Sequence, residues 1–166
     1  MGSHGIKDQV AIVAMGCTPF GEHWEASGDD LIIDAVNDLY AGTKLTVDDV
    51  DAYWFGTSQS AASGISVARP LKLKGKPVTR VENYCATGSE ALRNAAYAVA
   101  SGAYDVAMAI GMEKVKDGGY QGLNAFPYPA DGTQRTVTAA GMYSICLLYT
   151  SPSPRDATLS RMPSSA

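Results

Sequence analysis

Residues 77–111, PVTRVENYCATGSEALRNAAYAVASGAYDVAMAIG, constrain the fold more than any other stretch of this chain. A short β-branched run at about 77–82 is followed by an alanine-rich segment at about 86–101 and an apolar run at about 105–111. Strand, helix and strand in that order make a βαβ unit, because a helix between two strands carries the chain across a sheet and lets the strands run parallel. Within the helix, Leu92, Ala95, Ala96, Val99 and Ala100 form one apolar face, with Glu90, Arg93 and Asn94 off it. Small residues dominate that face, so the helix backbone can approach its neighbours closely. Gly102 stands where a left-handed C-terminal cap is wanted.

The same alternation extends toward the N-terminus. QVAIVAMG, residues 9–16, reads as a buried strand stopped by glycine, and residues 17–28 as a loop. From Asp29, the residues Ile32, Ala35, Val36, Leu39 and Tyr40 repeat with helical spacing, with Ser27, Asp29 and Asp30 available as caps. AYWFGTS, residues 52–58, reads as a further strand in which Tyr53, Trp54 and Phe55 pack, as does Met108 later. The fold class is therefore α/β. After Gly111 the texture changes to KDGGYQGLNAFPYPADGTQ, rich in glycine, proline and tyrosine, an excursion over a surface or a site. TVTAAGMYSI opens like another helix that nothing completes.

A length of 166 residues permits one domain with a real core. A net charge of -4, with no basic run, leaves no electrostatic footprint for nucleic acid or an anionic membrane surface. No apolar run approaches the roughly 20 residues of a membrane span, and no secretory signal is visible, so the expected location is cytoplasmic. Three cysteines, Cys17, Cys85 and Cys146, make no CxxC pair, and His4 and His23 are the only histidines, so neither a metal site nor a disulfide framework is expected. Asp48, Asp49 and Asp51 read as a solvated face, and His23 as a solvated or capping loop residue.

Cys85 occupies the junction between strand and helix. Ligands of α/β sheets bind beyond the carboxyl ends of the strands, where this residue falls. A helix N-terminus carries partial positive charge and unpaired N–H groups, which favour thiolate over thiol and can hold an oxyanion formed when sulfur attacks a carbonyl. Gly88 leaves room for a substrate at the first helical turn. From spacing alone, a nucleophile and a small core residue at a tight turn stand equally open.

The segment NYCATGSEALRNAAYAVASGAYDVAMAIGMEK resembles the nucleophile region of thiolases, particularly sterol-carrier-protein-type thiolases and acetyl-CoA acetyltransferases. GIKDQVAIVAMGCTPFGE and RPLKLKGKPVTRVENYCATG resemble the same group, so the likeness covers about residues 5–145. The resemblance implies a layered thiolase-like fold, truncated within its N-terminal half, and Cys85 as nucleophile. That residue would take an acyl group from acyl-CoA and pass it on in a Claisen condensation, or to CoA in thiolysis, in lipid metabolism. It implies coenzyme A thioesters as substrates, no tightly bound cofactor, a homodimeric or homotetrameric parent, and for some members an OB-fold partner protein. The family's remaining catalytic groups, a histidine in a Gly-His-Pro segment and a second cysteine among them, belong to a C-terminal half, and no matching segment occurs here. The chain as written is therefore expected to be inactive. Two rivals are a thiolase-fold retro-aldolase acting on an acyl-CoA and a non-catalytic scaffold subunit.

From Cys146 the chain departs from the pattern. CLLYTSPSPRD and SRMPSSA resemble a translated sequencing-library adapter, with Ala157, Thr158 and Leu159 where a sample barcode would fall, which suggests a metagenomic source. The expected organisation is an incomplete N-terminal thiolase-like domain over 1–145 and an artefactual, disordered tail over 146–166.

Overall fold

The computed structural model describes residues 5–118, 126–128, 135–137, 139, 141 and 143. The chain divides into two compact units, Met1–Gly119 and Tyr120–Ala166. The boundary expected at 145/146, Cys146 and the tail all lie outside the described residues.

The first unit is built on a three-stranded parallel sheet. Its strands are β1 (Ala52–Gly56), β2 (Val78–Val81) and β3 (Ala107–Gly111), in the order β2-β1-β3. Tyr53 registers with Val78 on one side and Met108 on the other. Helix α1 (Gly28–Ala41) precedes β1, the short α2 (Ile65–Ala68) lies between β1 and β2, and α3 (Thr87–Ala100) carries the chain from β2 to β3. The βαβ unit expected over 77–111 thus forms, and β1 sits at its centre.

Helix α1 begins as its sequence suggests. Ser27 and Asp30 make a reciprocal capping box, each side chain meeting the other's backbone N–H. Helix α3 ends as expected too: Gly102 takes φ +75°, its N–H reaches Val99 O, and Ala103 N–H reaches Ala98 O. Only a residue without Cβ takes that left-handed turn at no steric cost.

Side chains alternate across the strands, so the sheet has two different faces. Tyr53 and Phe55 of β1 and Met108 and Ile110 of β3 pack with Ile32 and Val36 of α1 and Val67 of α2 into the core. The other face carries Ala52, Trp54 and Gly56 of β1 with Ala107, Ala109 and Gly111 of β3, and α3 packs over it at Gly56. A Cβ at Gly56 would fall 3.1 Å from Thr87 Cγ2 and 3.6 Å from Ala91 Cβ. The buried stripe of α3 is accordingly Thr87, Ala91 and Ala95. This corrects the expected face: Leu92 is 49% exposed, because the sheet beneath α3 accepts methyl-sized groups and the larger side chain turns away.

A second correction concerns residues 9–16, which form no strand. A strand needs a neighbour for its backbone groups, and among the described residues no ladder reaches this segment. Ile12, Val13 and Met15 are exposed, Met15 to 81%. Gly16 instead lies against α1, and Cys17 N–H donates to Asp38 Oδ2 at 2.9 Å.

The second unit contains an antiparallel pair: β4 (Phe126–Tyr128) falls within the stretch read as an irregular excursion, and β5 (Arg135–Val137) follows it and takes in the first two residues of the segment read as a helix opening. Positions 139, 141 and 143 are helical, in line with the helix opening read there. Among the described residues no helix is long and apolar enough to cross a membrane.

Candidate active site

Between β2 and α3 the chain makes one 3-10 turn, Tyr84–Ala86. Tyr84 enters it at φ +47°, in the left-handed region that a residue with a Cβ adopts only at a cost. Glu82 Oε1 accepts the Tyr84 N–H at 2.6 Å, and Thr87 Oγ1 accepts the Asn83 N–H at 2.8 Å. The turn is thereby held from both ends. Cys85 is exposed at its centre. No side chain caps the N-terminus of α3; the Thr87 N–H donates to Tyr84 O within the turn, and the N–H groups that follow it, from Gly88, meet no capping side chain.

Cys85 lines a cleft of about 770 Å³ beyond the carboxyl ends of β1 and β3. Gly56, Thr57 and Gly111 form part of its wall, with Gly88 from α3 and residues 16–24 facing them. A Cβ at Gly88 would meet nothing within 4 Å, so packing of the protein itself does not require glycine there. Cys17 also lines the cleft and is exposed.

His23, set aside in the sequence as a solvated loop residue, stands in the same cleft wall. Its Nε2 lies 2.6 Å from Pro19 O. A carbonyl can only accept, so Nε2 is the donor in this contact. No sequence signal pointed to this placement, because it depends on how residues 16–26 are tied down. Lys114 does much of that, donating through Nζ to His23 O at 2.9 Å and to Ala26 O. Lys116 pairs with Glu22 and lies 5.5 Å from the ring centre of Trp24.

Sequence reasoning also missed Glu113. Its Oε2 accepts the Ser58 N–H at 2.7 Å, and its Oε1 accepts the Gln59 N–H at 3.0 Å, the Ser60 N–H at 2.7 Å and the Ser60 hydroxyl at 2.5 Å. Arg80 holds the opposite polarity of the same loop, donating to Thr57 O, Ser58 O and Ala61 O. Partial burial raises the Glu113 pKa, but the hydrogen bonds from Ser60, Ser58 and Gln59 outweigh it and hold the group below its ordinary value of 4.5. A depressed folded-state pKa stabilises the fold fully above the unfolded value and loses that contribution as pH falls through the folded one. Glu113→Ala is expected to lower unfolding free energy by about 1–3 kcal/mol at pH 7. Denaturant titrations should show that deficit shrinking below about pH 4.5, as the unsubstituted protein loses the carboxylate too. A deficit independent of pH would remove the charged hydrogen bonds as its cause.

Asp51 Oδ2 accepts the N–H groups of Asp105 and Val106, which ties the starts of β1 and β3 together. Among the described residues no group of three or more His, Cys, Asp or Glu is placed to hold a metal ion.

A parallel sheet with a cleft beyond its carboxyl ends and a thiol at a helix start define an α/β protein with a site at its strand ends. The fold is similar to that of 3-oxoacyl-(acyl-carrier-protein) synthase III from Aquifex aeolicus, with a TM-score of 0.51 and 18% identity over 63% of this chain and 35% of that one. The chain belongs to the thiolase family: residues 10–135 match the thiolase N-terminal domain. It is 39% identical over 115 residues to an acetyl-CoA acetyltransferase of Methanocaldococcus jannaschii, covering 65% of this chain and 29% of that protein. A second acetyl-CoA acetyltransferase, from Methanothermobacter thermautotrophicus, is 36% identical over 65% of this chain and 30% of its own length. Sterol carrier protein 2 of Bos taurus is 30% identical over 68% of this chain and 22% of its own. The chain thus spans less than a third of the length of these curated relatives.

Proposed function

We propose that the full-length protein is an acetyl-CoA acyltransferase in which Cys85 is the nucleophile. The observation that carries this reading is the exposure of Cys85 on the cleft wall, at the uncapped start of α3, inside the segment that matches the family. The Cys85 thiolate attacks the thioester carbonyl of an acyl-CoA, forming a new C–S bond as the C–S bond to CoA breaks, and CoA leaves as a thiolate that takes up a proton. N–H groups of the first turn of α3 face the oxygen that gains charge in the tetrahedral intermediate. In the second half-reaction the α-carbon of another acyl-CoA attacks the acyl group and expels the Cys85 thiolate. Thiolysis is the reverse. Two half-reactions sharing one covalent intermediate give ping-pong kinetics.

The second half-reaction needs a base for the α-carbon proton and donors for the enolate oxygen. Those groups belong, on this reading, to sequence beyond these 166 residues. The chain alone is therefore expected to accept one acetyl group and to show no sustained acetoacetyl-CoA cleavage. The test is incubation with acetyl-CoA followed by peptide mass spectrometry, with iodoacetamide labelling in parallel. Acetylation of the Cys85 peptide, and its protection from iodoacetamide, are the expected results. An unmodified Cys85 with acetyl transfer elsewhere, or with none, would favour a scaffold or a retro-aldol enzyme over acyl transfer.

A further inference from the structure

Glu82 stands where the end of β2 meets the Cys85 turn and faces two neighbours. Its Oε1 accepts the Tyr84 N–H at 2.6 Å and lies 3.5 Å from Ser58 Oγ. Ser58 N–H is in turn held by Glu113 at 2.7 Å, and Arg80 draws in the Ser58 carbonyl at 3.1 Å. A chain of contacts thus runs from the end of β3, through the loop after β1, to the residue preceding Cys85. Tyr84 at φ +47° is the strained member of that chain. Such a conformation persists only where surrounding contacts over-determine it. The short hydrogen bond from its own amide to Glu82 is one such contact, beside the Thr87 N–H that donates to its carbonyl.

We infer that Glu82 is a positioning residue for the acyl transfer proposed above: by accepting the Tyr84 N–H it holds the left-handed turn that presents the Cys85 thiol to the cleft. The inference rests on Cys85 being the nucleophile. Glu82 touches neither substrate nor sulfur in this role. What it supplies is an acceptor oxygen at one place. An amide oxygen can fill that place, whereas a methyl group cannot. Without the acceptor, Tyr84 relaxes toward a right-handed or extended backbone, and the thiol leaves the orientation in which the α3 N–H groups can act on it.

The test uses the 166-residue chain, Glu82→Ala and Glu82→Gln, with the rate of iodoacetamide labelling measured separately for Cys85 and Cys17. Cys17 is exposed and lines the same cleft from a different segment, so its rate reports any general opening of the fold or of that cleft. The ratio of Cys85 to Cys17 rates is expected to fall about tenfold in Glu82→Ala and to stay within about twofold of the unsubstituted chain in Glu82→Gln. A purely structural role would instead raise both rates together and would show no rescue by glutamine. If the unsubstituted chain labels Cys85 no faster than Cys17, both the nucleophile assignment and this inference fall. If Cys85 is the fast site and Glu82→Ala leaves the ratio unchanged, or Glu82→Gln loses as much as Glu82→Ala, the role of Glu82 alone is overturned.

Discussion

Cys85→Ala in the full-length protein is expected to lower acyl transfer by at least about a thousandfold, since removal of a covalent nucleophile leaves only binding and oxyanion stabilisation to act. The same change should leave stability within about 0.5 kcal/mol, because Cys85 is exposed and is not among the buried core residues. That pairing of a large kinetic effect with a small thermodynamic one is the signature sought. Initial rates of acetoacetyl-CoA cleavage and a urea titration measure the two halves. A variant that retains transfer would place the acyl group elsewhere. A variant that loses transfer only because it unfolds would fail the second measurement.

The largest effect on stability is expected at Gly16. A Cβ there would lie 2.3 Å from both Ala35 O and Leu39 N, backbone atoms within α1 that no rotamer change can move aside. Gly16→Val should cost about 3 kcal/mol, by forcing residues 16–26 off α1 or by displacing the helix itself. Gly88→Ala is the contrasting case. Nothing lies within 4 Å of a Cβ at that position, and alanine favours a helix over glycine, so stability should hold or rise slightly. On the proposed function the added methyl projects into the cleft and lowers acyl transfer instead. Thermal melts of the two variants, side by side, separate a glycine demanded by packing from one demanded by the site. Equal losses in both would contradict the placement of residues 16–26 against α1.

Gly16 also shows where local reading stops. As a sequence it closes an apolar run and looks like the end of a strand, and every residue from Gln9 to Met15 agrees with that. Strand formation, however, needs a partner edge, which is a property of the whole sheet and not of the run. Its close approach to α1 is likewise invisible in the run itself. The Leu92 correction has a related cause. Periodicity establishes that α3 has an apolar side, but an arc centred on Ala91 and Ala95 and one shifted toward Leu92 differ by little in pattern. Gly56, far off in sequence, decides between them, because Thr87 and Ala91 of α3 pack directly onto it while Leu92 stays exposed.

What the sequence by itself determined is the part governed by short-range physics. The strand-helix-strand order over 77–111 follows from successive local patterns, and the cap at Ser27, the left-handed cap at Gly102 and the position of Cys85 at a strand-to-helix junction each follow from residues within one or two helical turns of each other. The thiolase resemblance was equally legible, since it is carried by ordered runs at the N-terminus and around Cys85. Only the tertiary structure decided what surrounds that thiol. Glu113 reaches Ser58 across 55 positions, Glu82 reaches the same serine across 24, and Lys114 reaches the His23 carbonyl across 91. Contacts of that separation depend on how the β2-β1-β3 order brings three carboxyl ends together, and no local pattern of propensity or spacing encodes which side chains meet there.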